Sequence, residues 1–459
     1  MFHWFDFLQI GWKIFNKRIC MKNLLLLLVL GLVMAHAQAS QPAPHAQDRL
    51  LVKLHEGASV PNIDGVKSWK HLFGQVYMVF TTNLENNFQA LKNDGNVVYV
   101  ERDYYGRRDK MDVKLSDIKG AAISTKSGQP FNDPYLSKQW ALTNSETNGM
   151  SVIRAYQNRT SAPKEEIIVA VVDTGVDVAH QDLPIWKNAD EIPANGIDDD
   201  QNGYIDDVYG INTLVRDSQG RATMDNRDGH SHGTHVSGSI GAVQNNGIGV
   251  VGVASKVKIM GVRTVPNNGD ELDTDVVEAF IYAAKNGARV INCSFGKAHN
   301  EGGMAVSEAI EYIGKNYNTL VVAAAGNDSS DIDRTPTYPA SYTNDTLLVV
   351  AATSSSGGMA YFSNFGAVGV DVAAPGNNIY SSLPGNRYGN MSGTSMASPN
   401  TAGVAAEVLS YFPELSANEL REVLIRSVAK VGSFSGRMVS GGRVDLQRAL
   451  AEAAQALGQ

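Results

Sequence analysis

Ile167-Ile168-Val169-Ala170-Val171-Val172-Asp173-Thr174-Gly175-Val176-Asp177 is an unbroken apolar run that stops at an acid and a glycine. An apolar run without alternation reads as a strand buried on both faces, the habit of a parallel sheet covered by helices. An acid at the C-terminal end of such a strand stands where open α/β sheets carry their chemistry. Downstream, strand and helix signals alternate: strand 166–172, helix 234–240, strand 258–262, helix 273–286, strand 290–293, helix 304–315, strand 319–324 and strand 347–353. This alternation predicts an α/β domain, a doubly wound parallel sheet with helices on both faces. A short Ala-rich helix follows Val444 and closes the chain.

A second stretch carries the reactive chemistry. Gly393-Thr394-Ser395-Met396-Ala397-Ser398-Pro399 sets a serine between small residues, ahead of an apolar run from Ala402 to Val408 that reads as a helix. A serine at a helix N-terminus sits in a positive field with backbone N–H groups nearby, which suits an attacking oxygen and the oxyanion it generates. The hydroxyl needs a base to take its proton. His230-Ser231-His232-Gly233-Thr234-His235-Val236-Ser237-Gly238 contains three candidates, and spacing alone does not choose His232 over His230 or His235. The order along the chain is acid, imidazole, serine.

With these residues the chain resembles the subtilisin-like serine proteases, the subtilases. Four segments match in order: Val171-Val172-Asp173-Thr174-Gly175, His232-Gly233-Thr234-His235-Val236, Ala324-Ala325-Gly326-Asn327 and Gly393-Thr394-Ser395-Met396-Ala397. The resemblance runs from about Phe131 to about Leu450. It implies Ser395 as nucleophile, His232 as general base and then acid, and Asp173 as the group that orients His232. It also implies that Asn327 and the Ser395 backbone N–H donate to the oxyanion. Ser294-Phe295-Gly296 and Ala324-Ala325-Gly326 would form the two walls of the primary specificity pocket and pair with an extended substrate. Thr337 falls near the pocket base and Asp328 near its rim, so a medium-sized apolar side chain is the expected preference, with a basic one second. One departure stands out: after Pro399 the family usually has a histidine, and here it is Asn400.

The same resemblance implies calcium. A first site would use the Asp182 carboxylate, the Asn246 side chain and the carbonyls of Gln244, Ile248 and Val250, with a further oxygen from Gln139. A second is suggested by Asp198-Asp199-Asp200-Gln201-Asn202-Gly203-Tyr204-Ile205-Asp206-Asp207, where Asp198, Asp200, Asn202 and Asp206 occupy positions 1, 3, 5 and 9 of an EF-hand-like loop and Gly203 position 6. Position 12 is Tyr209 rather than a bidentate Glu, so the pattern is incomplete.

Composition narrows the partners. The net charge of -8 and the lack of a basic cluster in the mature region argue against nucleic acid as main partner. The resemblance implies protein or peptide substrates, and a monomer is the expectation. From Met21, Lys22 and the apolar core Leu24 to Val33 lead to small-residue cleavage sites at Ala35-His36-Ala37 and Ala37-Gln38-Ala39, an export signal over 1–39 implying a secreted or periplasmic product. The aromatic, basic extension Met1 to Cys20 is unusual for such a signal and makes Met21 a second candidate start. Cys20 leaves with the signal, so Cys293 has no partner and reads as a small packed strand residue.

Between signal and protease, 49–54, 75–82 and 96–101 read as strands and 85–93 as a helix, giving a small α+β unit over 40–106. The resemblance makes this a pro-domain that inhibits its own active site, although 56–70 lacks the expected first helix. A polar linker over 107–130 would carry the processing site, and the catalytic domain would occupy 131–459. Two other readings stay open: a catalytically silent, calcium-dependent binding protein on the same fold, and a zinc hydrolase using His230, His232 and His235, which lacks a HExxH motif.

Overall fold

The structure, a computed structural model, describes residues 43–106, 129–297 and 303–459. The export signal and most of the processing linker lie outside these residues. The chain from His45 onward is one compact unit. It opens with a four-stranded antiparallel sheet of β1 (His45–Leu54), β2 (Val66–Phe73), β3 (Val76–Thr81) and β4 (Val97–Tyr104), in the order β2-β3-β1-β4, with helix α1 (Leu84–Lys92) between β3 and β4. Strand β2 was not foreseen. It lies at the sheet edge, buries only Leu72 and Phe73 fully, and so lacks the apolar alternation that marks a covered strand. Its clearest signal is the tight turn into β3, where Gly74 adopts φ +50°.

The principal sheet is built from β5 (Ile167–Asp173), β6 (Asn212–Arg216), β7 (Ala222–Thr223), β8 (Val257–Arg263), β9 (Ala288–Cys293), β10 (Leu320–Ala324), β11 (Leu347–Thr353), β12 (Val372–Pro375), β15 (Ala429–Lys430) and β16 (Gly442–Arg443). Between β12 and β15 the hairpin β13 (Ile379–Leu383) and β14 (Arg387–Met391) stands apart. The sheet order is β15-β16-β12-β11-β10-β9-β5-β8-β6-β7, and pairing is parallel from β16 through β6. The chain lays β8 on one side of β5 and then crosses to lay β9 on the other. Such a reversal opens a crevice at the C-terminal strand ends, and Asp173 closes β5 there.

Helices α2 (Val152–Gln157), α3 (His232–Gly241), α4 (Asp273–Lys285), α5 (Ala305–Tyr317), α6 (Thr394–Tyr411), α7 (Ala417–Arg426) and α8 (Leu446–Ala456) cover the sheet. The alternation within β5 divides them. Val169 and Val171 face the core shared with α3, α6, α7 and α8, whereas Ala170 and Val172 face the core shared with α4 and α5. Helix α6 is buried along its whole length except Tyr411, and it packs on β5, β9, β10, β11 and β12.

The N-terminal sheet uses the same period-two logic. Leu50, Val52, Leu54 and Val79 pack with Leu84 and Leu91 of α1, while Leu51, Phe73, Val76 and Met78 join the core under α4 and α5. Each such side chain contributes about 1.5–3 kcal/mol when fully buried. Ion pairs ring this contact: Arg49 with Asp275 (3.1 Å), Lys53 with Glu308 (2.7 Å) and Lys70 with Glu278 (2.5 Å). Two acids of β4 satisfy amides at helix starts that have no intrahelical acceptor. Asp103 accepts from Thr274 N (2.9 Å) and Glu101 from Met304 N (2.7 Å).

Candidate active site

Strand β5 ends where Gly175 turns at φ +107°, a position at which a Cβ would lie 2.4 Å from the carbonyl oxygen of Asn226. The turn leaves Asp173 buried at the crevice, with Oδ1 accepting from Thr174 N (2.7 Å) and lying 2.7 Å from His232 Nδ1. His232 is the first residue of α3 and is also buried. His235, one turn along, points away: its Nε2 meets the carbonyls of Ile379 (2.9 Å) and Gly389 (3.2 Å) on the β13–β14 hairpin, and burial lowers its pKa to about 3.

Ser395 is the second residue of α6. Pro399, four residues on, has no N–H to give to the Ser395 carbonyl, and that carbonyl instead accepts from Ser294 Oγ at 3.2 Å. The exchange is reciprocal, since Ser395 Oγ donates to the Ser294 carbonyl at 3.1 Å. His232 Nε2 is buried and makes no hydrogen bond. Asp173, His232 and Ser395 line one cleft of about 480 Å³ together with Val265, Ser294, Phe295, Gly296, Ala324, Gly326 and Thr337.

Asn327 follows β10. Its Oδ1 accepts from Thr394 N (2.8 Å) and Thr394 Oγ1 (3.0 Å), which turns Nδ2 toward the cleft. A Cβ placed on Gly393 would lie 3.5 Å from both Asn327 Nδ2 and Ser395 N. The two donors therefore converge on one small space that a side chain at 393 would fill.

Two oxygen-rich loops flank the domain. In the first, Asp182 is fully buried, with Oδ1 accepting from Asn246 Nδ2 (2.7 Å) and Oδ2 from Val250 N (3.0 Å). Burial pushes its carboxyl up to about 6. Gly249 is obligatory here, because a Cβ would come 2.0 Å from Asp182 Oδ2. Asp133 approaches the same loop: Oδ2 accepts from Asn245 N (3.0 Å), while Oδ1 is buried without a hydrogen-bond partner. In the second loop, carboxylate oxygens of Glu191, Asp198 and Asp200 lie within 4.8 Å of one another. Glu191 is buried; its Oε1 accepts from Asp199 N (2.9 Å), its Oε2 has no hydrogen-bond partner, and burial raises its pKa.

Residues 164–448 match the family model for the subtilase family. The chain belongs to the subtilase family. It is similar to thermitase of Thermoactinomyces vulgaris, 35% identical over 319 residues that cover 70% of this chain and 98% of thermitase. It is also similar to subtilisin-like protease 1 of Plasmodium berghei, 32% identical over 387 residues, 80% of this chain but only 61% of that protein. Among solved structures, a protease of Pseudoalteromonas arctica superposes with a TM-score of 0.56 at 32% identity, covering 71% of this subtilase and 99% of that chain.

Most of the catalytic and pocket side chains singled out in the sequence of this subtilase line one cleft, but several placements differ from expectation. Ala325 does not line the cleft: its side chain is buried in the α4–α5 core. Gln139 turns both ends of its amide to Val251, Nε2 to the carbonyl and Oε1 to the N–H, each at 2.8 Å. Asp133, read only as part of the domain's opening segment, holds the free buried oxygen there. Asp206 binds Asn195 N (3.0 Å) and Gly196 N (3.1 Å) and lies outside the three-acid group, in which Glu191 takes a place that loop counting missed.

Two smaller points concern packing. Asn400 donates to the Pro375 carbonyl (2.9 Å), filling the position of the family histidine with a satisfied amide. Asp328 does not line the cleft.

Proposed function

We propose that this subtilase is a serine endopeptidase whose nucleophile is Ser395. The observation that carries the reading is the 2.7 Å contact of His232 Nδ1 with Asp173, in the cleft that Ser395 shares. The proton on Nδ1 is held by the buried carboxylate, which leaves Nε2 as the acceptor. A rotation about the Cα–Cβ bond of Ser395 carries its hydroxyl from the Ser294 carbonyl toward His232 Nε2, which then takes the proton as Oγ attacks the substrate carbonyl. Catalytic hydrogen bonds of this kind commonly tighten only when substrate arrives. The developing oxyanion falls between Asn327 Nδ2 and Ser395 N. His232 next gives its proton to the leaving amine, and water, activated by the same imidazole, releases the acyl group.

The cleft walls, Ser294 to Gly296 and Ala324 with Gly326, are small or apolar. Thr337 stands between them: its Cγ2 would be 3.3 Å from a Cβ at Gly296 and 3.6 Å from one at Gly326. This supports a pocket that takes a small or medium apolar side chain.

The N-terminal sheet acts as a pro-domain. Supporting this, the strand leaving it runs antiparallel to the chain ahead of α4, with a bridge from Tyr105 to Leu272 and a 2.7 Å bond from Gly106 N to Glu271 O. Calcium fits both oxygen-rich loops, since each contains a buried carboxylate oxygen without a hydrogen-bond partner, and hard oxygen donors are what Ca²⁺ prefers. Asp133, Asp182, Asn246 and the carbonyls of Gln244, Ile248 and Val250 would hold one ion; Glu191, Asp198, Asp200 and Asn202 would hold the other. Bound calcium would cross-link these loops and stabilise the fold. Export would rest on the N-terminal signal read from the sequence. Among the described residues no helix is long and apolar enough to cross a membrane.

The test combines peptide hydrolysis with labelling by a serine-directed phosphonate in the full-length chain. Wild type should hydrolyse and be labelled at Ser395; Ser395→Ala should do neither and should keep its N-terminal sheet uncleaved. Hydrolysis by pure Ser395→Ala protein, or inhibition by a zinc-selective chelator alone, would overturn the assignment.

A further inference from the structure

Asp228 lies in the loop just ahead of α3 and His232, and belongs to none of the motifs above. Its carboxylate receives five hydrogen bonds. Oδ1 accepts from Thr174 Oγ1 (2.9 Å), His230 N (2.9 Å) and Ser231 N (2.8 Å), and Oδ2 accepts from Thr234 N (3.0 Å) and Thr234 Oγ1 (2.7 Å). Thr174 follows Asp173, and its hydroxyl oxygen in turn accepts from Gly233 N at 3.1 Å. A carboxylate has about four lone-pair sites, so this one is saturated. It joins the end of β5, which carries Asp173, to the first turn of α3, which carries His232.

The backbone between them is strained. Ser231, the N-cap of α3, has φ +84° and ψ −8°, and its side chain makes no capping bond. A left-handed conformation costs a residue with a Cβ about 1–2 kcal/mol. Strain of this kind persists only where the surroundings over-determine it. Asp228 does so: it takes the amide of Ser231 itself and the N3 amide of Thr234 that an N-cap side chain would ordinarily bind.

We infer that Asp228 is a positioning residue for His232, holding Ser231 in its left-handed conformation so that the imidazole meets Asp173. It touches neither the cleft lining nor Ser395, and it acts through His232. Placement errors of about 1 Å at a reacting group cost up to about a hundredfold in rate. The inference rests on the endopeptidase reading, and its test has one arm that needs no turnover.

In Asp228→Asn, which keeps the shape but replaces one acceptor with a donor, kcat should fall by about ten- to a hundredfold with KM within about twofold. Thr174→Val, which removes the hydroxyl that joins Asp228 and Gly233 N to the end of β5 but leaves the Asp228 carboxylate on Ser231 and Thr234, should show a smaller fall of the same kind. Glycine adopts positive φ without strain, so adding Ser231→Gly to Asp228→Asn should restore kcat several-fold. In the inactive Ser395→Ala chain, the far-downfield proton resonance of the His232–Asp173 hydrogen bond should shift or vanish on Asp228→Asn, whether or not the wild type hydrolyses peptides. A folded Asp228→Asn enzyme with kcat within twofold of wild type, an unchanged downfield proton, or no restoration by Ser231→Gly would overturn the inference.

Discussion

Thr394 binds the carbonyl end of Asn327 twice, from its backbone N–H at 2.8 Å and from its hydroxyl at 3.0 Å. With that end occupied, only Nδ2 faces the space beside Ser395. Replacement of Asn327 by Leu should therefore lower kcat by roughly 10²–10³, the scale for one oxyanion donor, with little change in KM. Steady-state kinetics on a peptide substrate checks this; a kcat near wild type would place the oxyanion elsewhere.

Thr337 lines the cleft between Gly296 and Gly326, where its γ-methyl would form the floor of the proposed specificity pocket. Thr337→Gly should raise kcat/KM for substrates with Phe before the cleaved bond, relative to Ala, by about tenfold or more, since each added methylene in such a pocket is worth about 10–200-fold. A profile over a series of peptides differing at that residue decides the matter. An unchanged ratio means that another group forms the floor.

Calcium should stabilise the domain through Asp133 and Asp182. At free calcium about 100 times Kd, binding only the native state adds roughly 2.7 kcal/mol per site, so chelation should lower the thermal midpoint. Asp182→Ala and Asp133→Asn should each remove part of that response. Thermal scans of the Ser395→Ala chain with and without chelator measure it free of self-digestion. Indifference of the parent chain to chelator would dispose of both ion sites as stabilising elements.

Rising pH should loosen the N-terminal sheet. Burial pushes Glu101 and Asp103 up to about 7 and Glu271 up to about 8. Their folded values lie above their exposed ones, so opening releases protons. The stability they contribute is full below about pH 4 and is lost as pH climbs through about 7 to 8. The urea midpoint of the Ser395→Ala chain should consequently fall between about pH 5 and pH 9, and the fall should shrink in Glu101→Gln, whose side chain is neutral throughout. A midpoint that rises over this range would contradict the sign.

The parallel sheet was readable in advance because β5, β9, β10 and β11 are apolar runs covered on both faces, and the reactive residues stand at or just beyond strand ends and helix starts, where short motifs mark them. Edge elements were harder. Strand β2 and the β13–β14 hairpin mix polar and apolar residues in a way that resembles loops. Ligand sets were harder still, because they depend on where a side chain turns after the chain has folded. Asp133 offers a buried oxygen from a segment read only as the start of the domain, and Glu191 sits outside the acidic run whose spacing drew attention. Asp228 left no trace in any pattern, since its five partners are mostly backbone groups.

Helix α6 brings Ser395 into the crevice, and it is also the buried rod on which five strands of the principal sheet rest. It comes late in the chain, after every one of those strands. Until the ribosome has released it, the growing polypeptide lacks both a finished interior and Ser395. A chain that stops short of this helix would carry Asp173 and His232 with no serine beside them.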